Sequence, residues 1–183
     1  MLSIRLLHAP QEQDDLCRHC SLVYHYGHED VCKASYRQTT IKHDQICAAL
    51  TAAFNNVPKV KAILEPRTEQ DTERRTDIRV DSPQGTTYYD ITVVSVIAKT
   101  ASYDPFSTLS VEELNKKRKH AILGADFRPF VVSQGGLLGK ETAASYKAIQ
   151  KQLTYTASSF LDQYLSGLLG RIRARCWNGH SLN

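Results

Sequence analysis

The sequence predicts an α/β (α+β) fold in which helices flank one sheet, with a small metal knuckle ahead of it. Three observations carry this. Residues 74–96 hold two β-branched runs, Asp77–Val80 and Tyr88–Val96, on either side of a Pro-Gln-Gly turn, which is the pattern of a β-hairpin. Apolar residues recur at helical spacing in residues 39–55, 140–153 and 157–175, which predicts amphipathic helices. Residues 16–37 place three cysteines and a histidine at C-x2-C-x7-H-x3-C spacing, a pattern that suits structural zinc.

Bulk properties bound the possibilities. A chain of 183 residues is long enough for one domain with a core of its own. With 42% hydrophobic and 23% charged residues it is not a wholly disordered chain. A net charge of +4 permits nucleic-acid binding without requiring it. No apolar run reaches the length of a membrane span, and MLSIRLLHAP lacks the long apolar core of a signal peptide. The expectation is an intracellular protein without membrane partners, where disulfides are rare. The five cysteines then need another use.

Residues 1–15 read as a leader. The knuckle, residues 16–37, follows. Cys17 and Cys20 can grip one side of a tetrahedral ion, and His28 and Cys32, at i,i+4 spacing, the other. His19 and His25 are rival ligands of poorer spacing. Four protein ligands leave no position for water, so such a zinc is structural, and it would fold a segment with few apolar residues.

Residues 39–55 read as a helix capped by Thr39 or Thr40, with a stripe of Ile41, Ile46, Ala49, Leu50, Ala53 and Phe54. Beside it, Cys47 reads as a small core residue and His43 as a surface or cap group with no assigned role. A strand over 59–66 ends at Glu65, and a charged loop leads to the hairpin. There Asp77 and Asp90 open the two strands, twelve residues between them. Carboxylates held that close repel unless a cation sits with them, and oxygen-only ligation suits Mg²⁺.

Residues 97–108 read as a loop. Leu109–Gly124 reads as a helix capped by Ser107, Thr108 or Ser110, carrying a basic run Lys116, Lys117, Arg118, Lys119 and His120. That run is a solvated face, a phosphate contact or the source of a catalytic lysine. A short apolar strand covers 127–134. The following GGLLGK lacks phosphate-loop spacing. Two helices close the chain, Lys140–Leu153 and Ala157–Arg175. The second has Phe160, Leu161, Tyr164, Leu165, Leu168, Leu169 and Ile172 on its apolar face, and Arg171, Arg173 and Arg175 at its end. A flexible tail is expected from 177 to 183.

The order of these parts is knuckle, helix, strand ending in Glu-Pro, two aspartate strands, basic helix, strand, helix. It resembles the restriction-like endonuclease domain of site-specific non-LTR retrotransposons, a branch of the PD-(D/E)xK nuclease superfamily. Members carry a CCHC knuckle, a Lys/Arg-Pro-Asp motif, an acidic residue twelve to fourteen positions later and a K-x-x-K-Y stretch. The matching residues are Cys17, Cys20, His28 and Cys32; Arg75-Thr76-Asp77; Asp90; and Lys116 to His120. The likeness covers about residues 16–150.

The resemblance implies a restriction-endonuclease-like core over 38–176, a mixed sheet of four to five strands flanked by helices. It implies metal-dependent DNA nicking, with Asp77, Asp90 and the main-chain carbonyl of Ile91 holding Mg²⁺ or Mn²⁺. Glu65 would be a further carboxylate, and Lys116 or Lys119 the catalytic lysine. Zn²⁺ in the knuckle would be structural. Lys116–His120, Arg171, Arg173 and Arg175 would contact DNA. An RNA–protein retroelement complex is the further partner implied, and the nucleus the location.

The chain departs from the pattern at Thr76 in place of proline, Thr92 in place of the superfamily lysine and His120 in place of tyrosine. No reverse transcriptase motif accompanies it. Two other readings stay open: a zinc-knuckle nucleic-acid-binding module without cleavage, and a nuclease fold turned to protein interaction.

Overall fold

Strands β1 (Lys61–Leu64), β2 (Ile78–Ser82), β3 (Gly85–Val94) and β4 (Phe127–Ser133) form a single sheet in that spatial order. This computed structural model describes residues 16, 17, 20, 21, 23, 28, 32, 35–66, 75–98 and 101–181. The pairs β1–β2 and β2–β3 are antiparallel, while β3 and β4 are parallel, so the sheet is mixed. A parallel pair needs a crossover, and helix α2 (Pro105–Lys119) supplies it. Helix α1 (Ser35–Asn55) precedes the sheet, and α3 (Lys140–Gln152) and α4 (Tyr155–Ser181) follow it. A 3₁₀ segment, Ala121–Asp126, links α2 to β4.

The strands alternate as a half-covered sheet should. Tyr89, Ile91 and Val93 of β3, with Ile78, Val80, Phe130 and Val132, face a core filled by Ile46, Cys47, Leu50 and Phe54 of α1. Ile149 of α3 and Leu161 and Leu168 of α4 complete it. The intervening residues of β3, Asp90 and Thr92, therefore belong to the opposite face, where α2 packs against the sheet. This alternation delivers a carboxylate to the crossover helix.

Both sheet edges are occupied. On β1, the Asn55 side-chain amide accepts from Ala62 N (2.7 Å) and donates to Ala62 O (3.2 Å), standing in for a neighbouring strand. Outside β4, Ser133 N donates to Leu137 O (2.8 Å), Gly139 N to Val131 O (3.0 Å) and Val131 N to Thr142 Oγ1 (2.7 Å). These bonds satisfy outer-edge backbone groups of β4 at Val131 and Ser133, and the strand is almost wholly buried.

Several boundaries differ from the expectation. Helix α1 begins at Ser35, not at Thr39 or Thr40, and Thr39 Oγ1 accepts from Gln134 Nε2 (2.7 Å). Helix α2 begins at Pro105 inside the expected loop. Its N-cap is Asp104, which accepts from Phe106 N (3.1 Å) and Ser107 N (3.0 Å), rather than Ser107, Thr108 or Ser110. Proline at the first helical position loses no bond, because that N–H has no partner in a helix. Helix α4 continues to Ser181, past Arg175 and through most of the expected tail; a glycine in its last turns weakens a helix without ending it. Phe160 is exposed and stacks on Tyr164 rather than entering the core. The leader, residues 1–15, and the charged loop, 67–74, lie outside the described residues.

The N-terminus of α3 has no cap from its own side chain. Glu113 of α2, buried, accepts from Thr142 N (2.9 Å), Thr142 Oγ1 (2.9 Å) and Glu141 N (3.3 Å). A carboxylate there satisfies free amides and complements the helix dipole. Gly139 makes room for it, since a Cβ would lie 2.1 Å from Glu113 Oε1. Glu113→Ala should lower unfolding stability by about 2–4 kcal/mol, with Gly139→Ala also destabilising. Urea unfolding within about 0.5 kcal/mol of the parent for both would remove this role.

Candidate carboxylate and metal-ligand sites

Asp77 stands one residue before β2 and is tied to β3 on both sides of Asp90. Its backbone N–H donates to Tyr89 O (2.9 Å), and its Oδ2 accepts from Ile91 N (2.6 Å). The register Ile78↔Tyr89, continued by one residue, sets Asp77 opposite Asp90. The hairpin thus brings the two expected carboxylates to one end of the β2–β3 pair.

Each carboxylate has a cation. Asp90 is only 4% exposed, and Lys116 Nζ lies 2.6 Å from its Oδ2. His120 Nε2 lies 3.6 Å from the same oxygen. Lys116 and His120 are four positions apart, so one face of α2 presents both. The ammonium makes charge contact without the angle of a hydrogen bond: Asp90 Oδ2 and His120 Nε2 are buried with no hydrogen-bond partner among the described residues. His120 stacks on Phe127 with ring centroids 4.7 Å apart. Burial lowers its pKa, against the opposing pull of Asp90, so it is neutral near neutral pH.

The cation at Asp77 comes from α1. His43 Nε2 lies 3.1 Å from Asp77 Oδ2, and its Nδ1 lies 3.0 Å from Asp44 Oδ1. An imidazole that donates from both nitrogens is an imidazolium. The hydrogen bond to Asp77, then that with Cys47, outweighs burial and raises the His43 pKa to about 11. Burial opposes ionisation of Asp77, but the bonds from His43 and the Ile91 amide, with the charges of His43 and Lys116, hold its pKa below the ordinary value. Cys47, one helical turn after His43, is buried, and burial raises its thiol pKa. His43, Asp44, Cys47, Leu64, Glu65 and Asp77 line a cavity of about 100 Å³.

The other expected residues divide. Glu65 follows β1 as the strand reading required, with φ 44°, and its N–H donates to Asp77 O (2.7 Å). Lys119 is exposed, and Lys116, half-buried, is the lysine that reaches a carboxylate. Arg118 is exposed, and Lys117 pairs with Glu141 at 2.6 Å. His120 is not a surface phosphate contact: it is 1% exposed and turned to Asp90. The Ile91 amide is committed to Asp77. The side chains of Arg171, Arg173 and Arg175 lie outside the described residues. Sequence reading gave His43 no role; its signal was the His43–Cys47 spacing on the face that packs toward the aspartate strands.

The second site is N-terminal. Cys17 Sγ and Cys32 Sγ lie 3.6 Å apart, and Cys20 Sγ and His28 Nε2 3.2 Å apart. All four ligand atoms fall within 4.8 Å of one another. Tetrahedral zinc with legs near 2.0–2.3 Å has ligand–ligand edges of roughly 3.3–3.8 Å, so the cluster could bind a metal such as zinc. An antiparallel bridge between Leu16 and Val23 brackets the Cys17–Cys20 turn, and Cys32 N donates to His28 O (2.9 Å).

No family model matches this sequence, and no curated protein matches it. Its chemistry is therefore read from the two sites themselves. Among the described residues no helix is long and apolar enough to cross a membrane.

The His43–Asp77 pair sets a pH dependence. The folded-state pKa of His43 is raised above its ordinary 6.5, so the pair stabilises fully below pH 6.5 and the contribution is lost as pH rises toward about 11. In chelator-treated protein, His43→Gln should cost about 1–3 kcal/mol near pH 6 and progressively less as pH rises above 6.5 toward about 11. A cost that grows with rising pH would contradict the pairing.

Proposed function

We propose that this chain is a divalent-metal-dependent DNA endonuclease of retrotransposon origin with a restriction-endonuclease-like core, nicking a strand by phosphodiester hydrolysis. The observation that carries the reading is Asp77 and Asp90 at one end of a strand pair with Lys116 Nζ 2.6 Å from Asp90. The element order supports it as well: knuckle ligands, helix, strand ending in Glu-Pro, two aspartate strands, basic helix, strand, helix. Thr92 stands where the superfamily has lysine, and Lys116 of α2 reaches the same face of the sheet.

The donors fit a hard cation. They are carboxylate oxygens, and Asp90 Oδ2 is buried without a hydrogen bond among the described residues. Asp77 and Asp90, with the Ile91 carbonyl, would hold Mg²⁺ or Mn²⁺. Such an ion, when bound, supplies an activated water and a polarised phosphate. Lys116 brings a fixed positive charge toward a phosphate losing its ester bond. His120, buried and stacked on Phe127, lies 3.6 Å from Asp90 and braces it. Lys117, Arg118 and Lys119, exposed on the last turn of α2, would meet DNA phosphates, and such contacts weaken with salt. The N-terminal cluster with Zn²⁺ would hold the knuckle.

One observation favours a second reading, a nucleic-acid-binding module without cleavage. Lys116 and His43 already neutralise Asp90 and Asp77, so both carboxylates are stable without an added ion.

Supercoiled plasmid with Mg²⁺ or Mn²⁺ separates the two. The parent should convert it to open circle, and Asp77→Ala, Asp90→Ala and Lys116→Ala should each slow conversion by about 100-fold or more. Equal nicking by all four would assign the activity elsewhere. Salt-sensitive DNA retention with no nicking would select the binding module.

A further inference from the structure

We infer that His43, Cys47 and Asp77 form a second transition-metal site, distinct in chemistry from the proposed Mg²⁺ position and from the N-terminal cluster. His43 Nε2 lies 3.1 Å from Asp77 Oδ2 and 3.8 Å from Cys47 Sγ. One ligand atom from each of the three residues falls within 4.8 Å of the others. An ion with legs of about 2.0–2.3 Å to nitrogen, sulfur and oxygen sets such atoms roughly 3.3–3.8 Å apart. The two edges that meet at His43, 3.1 Å and 3.8 Å, are close to those values.

The donor types select the ion. Thiolate and imidazole disfavour Mg²⁺ and Ca²⁺ and favour Zn²⁺ and its neighbours. The placement is also that of a working ligand set. His43 and Cys47 are separated by one turn of α1, the spacing that turns two side chains to one point. The remaining ring nitrogen of His43 faces Asp44 Oδ1 at 3.0 Å. A carboxylate on the distal nitrogen is the usual partner of a metal-bound histidine, because it fixes the ring and its tautomer. Three protein ligands leave one position of a tetrahedral ion to fill, and the same three residues line, with Asp44, Leu64 and Glu65, a cavity of about 100 Å³. The N-terminal cluster offers four ligand atoms, enough to fill a tetrahedral ion. Three ligands with an open position is the arrangement of a reactive zinc rather than a structural one.

Binding would replace protons on His43 and Cys47 by the ion, releasing them to solvent. Asp77 is shared with the proposed nuclease site, yet the inference stands apart from that proposal because it is read in the absence of DNA.

The test is titration of chelator-stripped full chain with Co²⁺, followed by thiolate-to-metal absorption, and with Zn²⁺, followed by metal analysis. The parent should take about two equivalents, one at each ligand set. Cys47→Ser should leave about one and remove part of the thiolate absorption. Asp44 is exposed, so Asp44→Asn keeps the fold and should weaken only the second equivalent, by about tenfold or more. A single equivalent in the parent, with Co²⁺ absorption unchanged by Cys47→Ser, overturns the site. So do two equivalents that neither variant alters. If Cys47→Ser does not fold by circular dichroism, Asp44→Asn alone decides, and unchanged affinity overturns the site. Absence of plasmid nicking bears on the nuclease proposal and leaves this titration untouched.

Discussion

A buried carboxylate on an inner strand governs this structure. Asp90 lies between Tyr89 and Ile91, both in the core, and is itself 4% exposed. An ionised carboxylate without a partner in that position costs several kcal/mol. The cation comes from the crossover helix: Lys116 reaches Asp90 Oδ2, and His120 closes the space behind it. The docking of α2 on its face of the sheet is thus tied to one charge on β3. The parallel pairing of β3 with β4 depends on the same helix, which carries the chain from one to the other.

The second carboxylate at this end of the hairpin is held from the opposite face. His43 of α1 meets Asp77, and Asp77 in turn grips the Ile91 amide. Two helices on opposite faces therefore converge on two adjacent carboxylates, each helix with one cation. Such an arrangement satisfies the metal-free state, and it also concentrates oxygen, nitrogen and sulfur donors at one end of the strands. The two properties are compatible: protons on His43 and Cys47 and the ammonium of Lys116 occupy positions that a divalent ion can compete for.

Lys116 keeps its place because its helix is anchored elsewhere. Asp104 and Pro105 define where α2 starts, and Glu113 locks its middle onto the first turn of α3. Gly139 leaves the room that this contact needs. Segment 137–142 then closes the outer edge of β4. The bonds form one chain from the helix cap to the sheet edge, and the carboxylate site sits within it.

Local pattern was enough to determine the hairpin, the two aspartates at its open end, the strand before them, the N-terminal Cys/His cluster and the four helices, because side-chain period and residue spacing are properties of neighbouring residues. Local pattern was insufficient where a group takes its partner from a distant segment. Lys116 and Lys119 are equivalent in a basic run until α2 docks and turns one of them to Asp90. His120 reads as a phosphate contact until burial neutralises it beside Phe127. Glu113 carries no signal of its own within α2, and its role as the cap of α3 exists only across 29 residues. His43 carries an ordinary helical spacing to Cys47, yet its charge is decided by Asp77, supplied by the opening of a strand beyond the following loop. Electrostatic partners act through space, at distances that only the packed chain creates, and so the elements were legible in order while the pairing of their charges was decided by tertiary structure.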